Sequence, residues 1–216
     1  MIKKYDPNAF HHHSNPLIRF IERKRVKIIF RFMDIQEADL VLEVGCGAGN
    51  VIEKASRGTL FGVDLSSSIL MKAQQRLGGT IHLFQGDAQN LPCKDRVFNQ
   101  IICSEVLEHL LEPSSALKDM LRILRPKGVA IISIPNEFWI NRIKRLLIRL
   151  RVFHFLVDRR GGYRQMSQKM DDEWHLHSFR LDEWVNMATK YFRVTRLKKI
   201  PFVLLPLRYV IRLEKS

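Results

Sequence analysis

The sequence predicts an α/β fold: a mostly parallel sheet with helices on both faces, closed by an antiparallel hairpin at its C-terminal end. Three observations carry this. Short apolar runs alternate with helical segments from Asp39 to Ile134, the pattern of strand–helix–strand units sharing a parallel sheet. The first run breaks into Gly45, Gly47 and Gly49 on alternate positions, which reads as a buried strand feeding a tight turn. The last two runs, Phe192 to Lys199 and Leu207 to Leu213, are joined by Pro201 to Pro206 with no helix between them, so they must pair antiparallel.

Taken in order, Asn15-Pro16 starts the first helix, with Asn at the N-cap and Pro at the first helical position. Leu17 to Met33 follows, mixing Ile18, Ile21, Ile28, Ile29 and Phe32 with six basic residues, a helix for the sheet edge or for covering a substrate pocket. Asp39 to Val44 is the first strand, and Val51 to Ala55 reads as a helix whose N-terminal N–H groups can meet a ligand. Thr59 to Asp64 is the second strand, ending in a carboxylate. Ser66 to Leu77 is helical and stops at Gly78-Gly79; Ile81 to Phe84 and Phe98 to Cys103 are the third and fourth strands. Ser104 to Leu111 forms a turn or short helix before Pro113, Ser114 to Leu124 is a helix, and Pro126-Lys127-Gly128 turns the chain into the strand Val129 to Ile134. A last helix opens at Ser178 to Trp184, with Ser178 as its cap.

A chain of 216 residues with 46% apolar and 27% charged residues suits one globular domain, here 1–216, with an N-terminal helical extension over 1–37 and an insertion over 137–172. Cys46, Cys93 and Cys103 have neither disulfide nor zinc spacing, and His11-His12-His13 is too short for a metal site. No secretory leader is visible, so the expected compartment is the cytoplasm. The net charge of +14 favours anionic surroundings: nucleic acid, an acidic membrane face or an anionic substrate.

Part of that charge lies in the insertion. Residues 138–157 contain no acid, and Trp139, Ile140, Ile143, Leu146, Leu147, Leu150 and Phe153 share one helical arc. Arg142, Arg145 and Arg149 flank one edge of the arc, Lys144 and Arg151 the other. Apolar residues bordered by long cations suit an interfacial helix on an anionic membrane, and equally a lid packed over the protein's own pocket. The charges interrupt the run too often for a membrane span.

The glycine turn is not a dinucleotide fingerprint, because Asn50 follows Gly49 and the G-x-G-x-x-G spacing fails by one. Leu42-Glu43-Val44-Gly45-Cys46-Gly47-Ala48-Gly49, Gly62-Val63-Asp64, Gly86-Asp87-Ala88, Ser104-Glu105-Val106-Leu107-Glu108-His109-Leu110 and Leu124-Arg125-Pro126-Lys127-Gly128 occur in that order. Over about residues 38–214 the chain resembles the class I S-adenosylmethionine-dependent methyltransferases, which implies a Rossmann-like sheet of seven strands and S-adenosyl-L-methionine as cofactor. The resemblance puts Glu43, Gly45, Cys46, Gly47, Gly49, Asp64, Leu65, Asp87, Ala88 and Ser104 at the cofactor. The glycines admit its methionine portion, Glu43 orients the loop and helps hold the ammonium, Asp64 accepts the ribose hydroxyls, and Asp87 accepts from the adenine amino group.

Methyl transfer from a sulfonium is an in-line displacement, and the protein's part is alignment. A base is needed only for a protonated acceptor. His109 and His177 are the candidate catalytic residues, with His175 in the same segment as His177. Glu105, Glu108 and His109 resemble a Glu-x-x-Glu-His segment of ubiquinone-biosynthesis O-methyltransferases associated there with a divalent metal; the same segment occurs in relatives without one, and no metal is expected here. The resulting expectation is a methyltransferase acting on oxygen of a small lipophilic or membrane-associated acceptor. The exposed-looking Phe202 to Leu205 loop also favours that class. An RNA-directed enzyme and a non-catalytic cofactor-binding relative are the alternatives. The fourth strand lacks both the Asn/Asp-Pro-Pro-aromatic tetrad used on base amines and the Pro-Cys nucleophile used on cytosine.

Overall fold

The computed structural model describes residues 16–150 and 176–215. Asn15, the His11 to His13 run, Arg151, Phe153 and His175 lie outside the described residues. Strands β1 (Leu40–Val44), β2 (Thr59–Asp64), β3 (His82–Gln85), β4 (Phe98–Ser104), β5 (Leu124–Pro135), β6 (Arg193–Pro201) and β7 (Pro206–Glu214) form one sheet in the order β3-β2-β1-β4-β5-β7-β6. The first five run parallel, and β7 is antiparallel to both β5 and β6. The predicted mostly parallel sheet with its C-terminal hairpin is therefore the fold.

Among the described residues five helices cover it: α1 (Pro16–Phe32), α2 (Ser67–Leu77), α3 (Pro113–Ile123), α4 (Glu137–Arg149) and α5 (Leu181–Thr189). Alternate side chains along each strand point to opposite faces, so two apolar layers form. On one face Ile101, Cys103, Ile132 and Ile211 bury Leu117, Met120 and Ile123 of α3 and Trp184 of α5. On the other, Val41, Ile102, Ile131 and Val210 bury Ile21, Ile28 and Ile29 of α1. Helix α1 thus lies across the edge strand β6 and its neighbours β7 and β5, in keeping with the expected place at the sheet edge. Truncating a fully buried side chain such as Ile29 to Ala costs about 2–5 kcal/mol in a core of this kind.

The parallel strands place Val44, Asp64, Ser104 and Pro135 at one edge of the sheet. The hairpin reaches the same edge, since Arg208 pairs with Pro135 and Pro201 with Pro206. Open α/β sheets hold their ligands there.

Local structure departs from the sequence reading at three points. The expected helix after the glycine turn is a single 3-10 turn, Ile52–Lys54, because Ala55 is already extended (φ −68°, ψ 131°) and the left-handed Gly58 follows (φ 82°). One turn has almost no macrodipole, so the loop's own N–H groups rather than a helix end face a ligand. Strand β5 starts at Leu124, not Val129, with a register shift opposite Phe98 and Gln100 that absorbs the Pro126-Lys127-Gly128 turn. Helix α5 begins at Leu181 with Arg180 at the N-cap position, whose N–H is accepted by Glu183 Oε2 at 2.6 Å. Ser178 is not its cap: its hydroxyl donates to Glu137 at the start of α4.

The expected apolar arc of α4 is only partly sheltered. Trp139, Ile140, Ile143 and Leu147 of the arc are half-buried, Leu146 and the C-cap Leu150 are exposed, and outside the arc Phe138 and Ile148 are exposed too. Among the described residues no helix is long and apolar enough to cross a membrane.

Candidate active site

The glycine turn is folded back onto the end of β2. Cys46 N–H donates to Val63 O at 2.9 Å, Gly47 N–H to Asp64 Oδ2 at 2.8 Å, and Gly49 N–H to Cys46 O at 2.7 Å. Arg76 of α2 holds the far side by donating to Ala48 O and pairing with Glu53. All three glycines have positive φ (69°, 52° and 77°), but their surroundings differ. A Cβ on Gly45 would stand 2.3 Å from Val106 Cγ2, and one on Gly49 2.6 Å from Leu77 Cδ1. A Cβ on Gly47 would meet nothing within 4 Å. Gly45 and Gly49 are therefore small for packing, and Gly47 alone fronts open space that a ligand can fill.

Glu43 is buried beneath the turn and accepts the Ile52 N–H at 2.9 Å. Burial pushes its carboxyl up to about 8, against a smaller opposing pull from that hydrogen bond and from Arg25. A neutral buried acid next to an open loop is a group that a bound cation would ionise. Asp64 receives Gly47 N–H on Oδ2 and Ser66 N–H on Oδ1 at 2.9 Å. Each oxygen has a second lone pair, so both remain able to accept from a diol. Beside it Leu65 is exposed at the rim. Asp87 opens a turn, accepting Gln89 N–H at 2.8 Å, with Ala88 buried next to it.

At the end of the neighbouring strand, β4 finishes in Ser104, and Glu105 takes a left-handed conformation at φ 57°, uncommon for a side chain of its size. A buried polar chain fixes it there. Arg25 donates to Ser104 Oγ and, at 3.3 Å, to Ser133 Oγ; the two hydroxyls are 2.8 Å apart, and Ser133 donates to Glu105 Oε1 at 3.0 Å. Arg208 pairs with Glu105 and, at 3.0 Å, with Glu22, which also pairs with Arg25 at 2.6 Å. Glu108 is buried, and burial together with neighbouring Glu105 holds its carboxyl well above the usual range. Among the described residues no group of three or more His, Cys, Asp and Glu side chains converges as a metal site.

The two candidate histidines are brought to the same loop. His109 ends the 3-10 turn Leu107–His109 and is exposed. Leu176 N–H donates to Glu108 O at 2.9 Å, so the His177 segment lies on that turn. The His177 ring stacks on Phe179 at 4.7 Å, and its Nε2 is 3.2 Å from Leu111 O. A carbonyl can only accept, so Nε2 carries the proton and Nδ1 is the basic nitrogen. Sequence reasoning missed Glu22, Arg25, Ser133 and Arg208. The signal for two of them was present: Glu22 and Arg25 fall at helical spacing within the Ile21, Ile28, Ile29 stripe, where an unpaired charge would be costly.

Residues 42–132 match the family described as a methyltransferase domain. The chain is 31% identical over 125 residues to a demethylmenaquinone methyltransferase of Staphylococcus epidermidis, covering 54% of this chain and 52% of that one. It is 34% identical over 107 residues to a ubiquinone biosynthesis O-methyltransferase of Haemophilus ducreyi, covering 45% of each. The chain spans about half the length of these curated relatives. Its fold superposes on the N-methyltransferase NodS of Bradyrhizobium japonicum, solved in complex with S-adenosyl-L-homocysteine, with a TM-score of 0.67 at 16% identity over 100% of this chain and 95% of that one. Residues 42–132 are thus similar to a methyltransferase domain, and the sheet has the Rossmann-like fold of solved methyltransferases.

Proposed function

We propose that this chain transfers the methyl group of S-adenosyl-L-methionine to a small lipophilic or membrane-associated acceptor, on oxygen, as a cytoplasmic enzyme that touches the membrane through residues 138–157. The observation that carries the cofactor half is the pairing of an open Gly47 with an Asp64 carboxylate that keeps two free lone pairs. When bound, the cofactor supplies a methyl group on an electrophilic sulfonium. Asp64 would accept the ribose hydroxyls, Glu43 would stand below the ammonium, and Leu65, Asp87 and Ala88 would bound the adenine. The Ser104 to His109 turn, held by Arg25 and Arg208, would form the acceptor wall. For a protonated acceptor oxygen, His177 through Nδ1 or the exposed His109 would take the proton.

The lipophilic acceptor is supported by the names of both quinone-type relatives and by the exposed apolar residues of the acid-free stretch of α4 beyond Glu137, and the oxygen by the name of the O-methyltransferase. The test is incubation of the purified protein with methyl-labelled cofactor and a detergent-solubilised lipid extract. A labelled, organic-phase product bearing a methoxy group is expected. Label confined to the aqueous phase or to RNA would reject the acceptor class.

A further inference from the structure

We propose that the β6–β7 tip and the first turns of α1 together form a docking surface for an anionic phospholipid bilayer. At the tip, Phe202, Val203 and Leu204 are 57%, 64% and 90% exposed; on α1, Leu17 and Phe20 are 59% and 48% exposed. These two elements are far apart in sequence and are tied at one ammonium. Lys24 Nζ donates to Pro201 O at 2.6 Å and lies 5.8 Å from the Phe20 ring centroid and 5.6 Å from that of Phe202. Pro201 and Pro206, both buried and paired across the two strands, form the base of the tip.

Charge selects the occupant. Arg19, Arg23 and Lys27 stand on the same helix as Phe20, and Lys198 and Lys199 precede the tip. The tip from Phe202 to Leu205 contains no acid, and the one acid of α1, Glu22, is buried against Arg25 and Arg208. An exposed apolar wedge with long cations on the same two elements suits the boundary between lipid headgroups and acyl chains, with the cations on the phosphates. The wedge lies on the sheet edge that also carries Asp64 and Ser104, so docking turns the cleft toward the bilayer. That consequence rests on the lipophilic-acceptor reading; the docking surface itself does not.

The experiment is co-sedimentation with vesicles of phosphatidylcholine alone or mixed with phosphatidylglycerol. The variants are the Val203→Glu, Leu204→Glu double and, separately, the Arg142→Glu, Arg145→Glu, Arg149→Glu triple. Wild type is expected to bind the anionic vesicles, and the tip double to bind them about tenfold or more weakly, with unchanged melting temperature and unchanged affinity for S-adenosylhomocysteine. Binding by the tip double equal to wild type overturns the proposal, even where the α4 triple loses it. Absence of wild-type vesicle binding also overturns it, as does a wild-type dimer that the tip double converts to monomer without any vesicle binding. The methyl-transfer assay in detergent decides the acceptor class independently of this result.

Discussion

Gly47 and Asp64 meet across 2.8 Å, the N–H of the middle loop glycine donating to the carboxylate that closes β2. Asp64 therefore shapes the loop as well as facing the cleft, and its second oxygen repeats the arrangement with Ser66 N–H. A side chain that both anchors the turn and keeps free lone pairs couples loop geometry to ligand recognition.

The glycines of the turn should separate by substitution. Gly45→Ala places a methyl 2.3 Å from Val106 on a left-handed backbone, and is expected to cost about 2 kcal/mol or more in urea unfolding. Gly47→Ala meets no neighbour, so its cost is backbone strain alone, about 1–2 kcal/mol. Both should weaken cofactor binding, Gly47→Ala out of proportion to its lost stability.

The buried Glu43 makes stability depend on pH in a defined direction. Its carboxyl is raised from 4.5 to about 8, so the fold favours the neutral form. That contribution is fully present below about pH 4.5 and is lost as pH rises through about 8. Glu43→Gln keeps an acceptor for Ile52 N–H and should flatten the decline of urea stability between these limits. Glu108, shifted in the same direction, leaves part of the slope in place. A cationic group of the cofactor favours ionised Glu43, so S-adenosylhomocysteine binding near pH 7 should release a proton. Calorimetry in buffers of different ionisation enthalpy measures that release, and the Gln variant should lack it.

Arg208 bridges Glu22 and Glu105 where both are largely out of water. Arg208→Ala leaves the Glu105 carboxylate without its cation and Glu22 with Arg25 alone, and is expected to cost about 3–5 kcal/mol in urea unfolding. Arg208→Lys should recover only part of this, because one ammonium cannot reach both partners as a planar guanidinium does.

For an acceptor that loses a proton, His177→Ala should lower kcat by about 100-fold or more with little change in cofactor affinity, and should remove a limb of the pH–rate profile. If His109→Ala does this instead, the base is assigned to His109. An unchanged profile in both variants would show that the acceptor arrives already ionised.

Much of this site was legible in the sequence because its parts are local. Gly45, Gly47, Gly49 and Asp64 lie at the C-terminal ends of neighbouring strands, and alternating apolar runs place those strands without long-range information. The hairpin followed from the missing helix between its strands. The short turn at Ile52 differs from the expected helix because periodicity over five residues cannot tell a 3-10 turn from a helix start. The polar chain from Arg25 through Ser104 and Ser133 to Glu105 and Arg208 joins four elements, and no local pattern announces such pairing. The cap at Arg180 was hidden because the sequence offered Ser178, a better capping residue that tertiary contact with Glu137 diverts.

If the Gly47 loop and Asp64 hold S-adenosylmethionine, titration calorimetry with S-adenosylhomocysteine should show one binding site in the wild type. Asp64→Ala should weaken it about 100-fold or more, the loss of two charge-assisted hydrogen bonds of about 1.5–3 kcal/mol each. No heat of binding in a folded wild type, or an Asp64→Ala affinity within about twofold of the wild-type value, would rule out this role for the loop and Asp64.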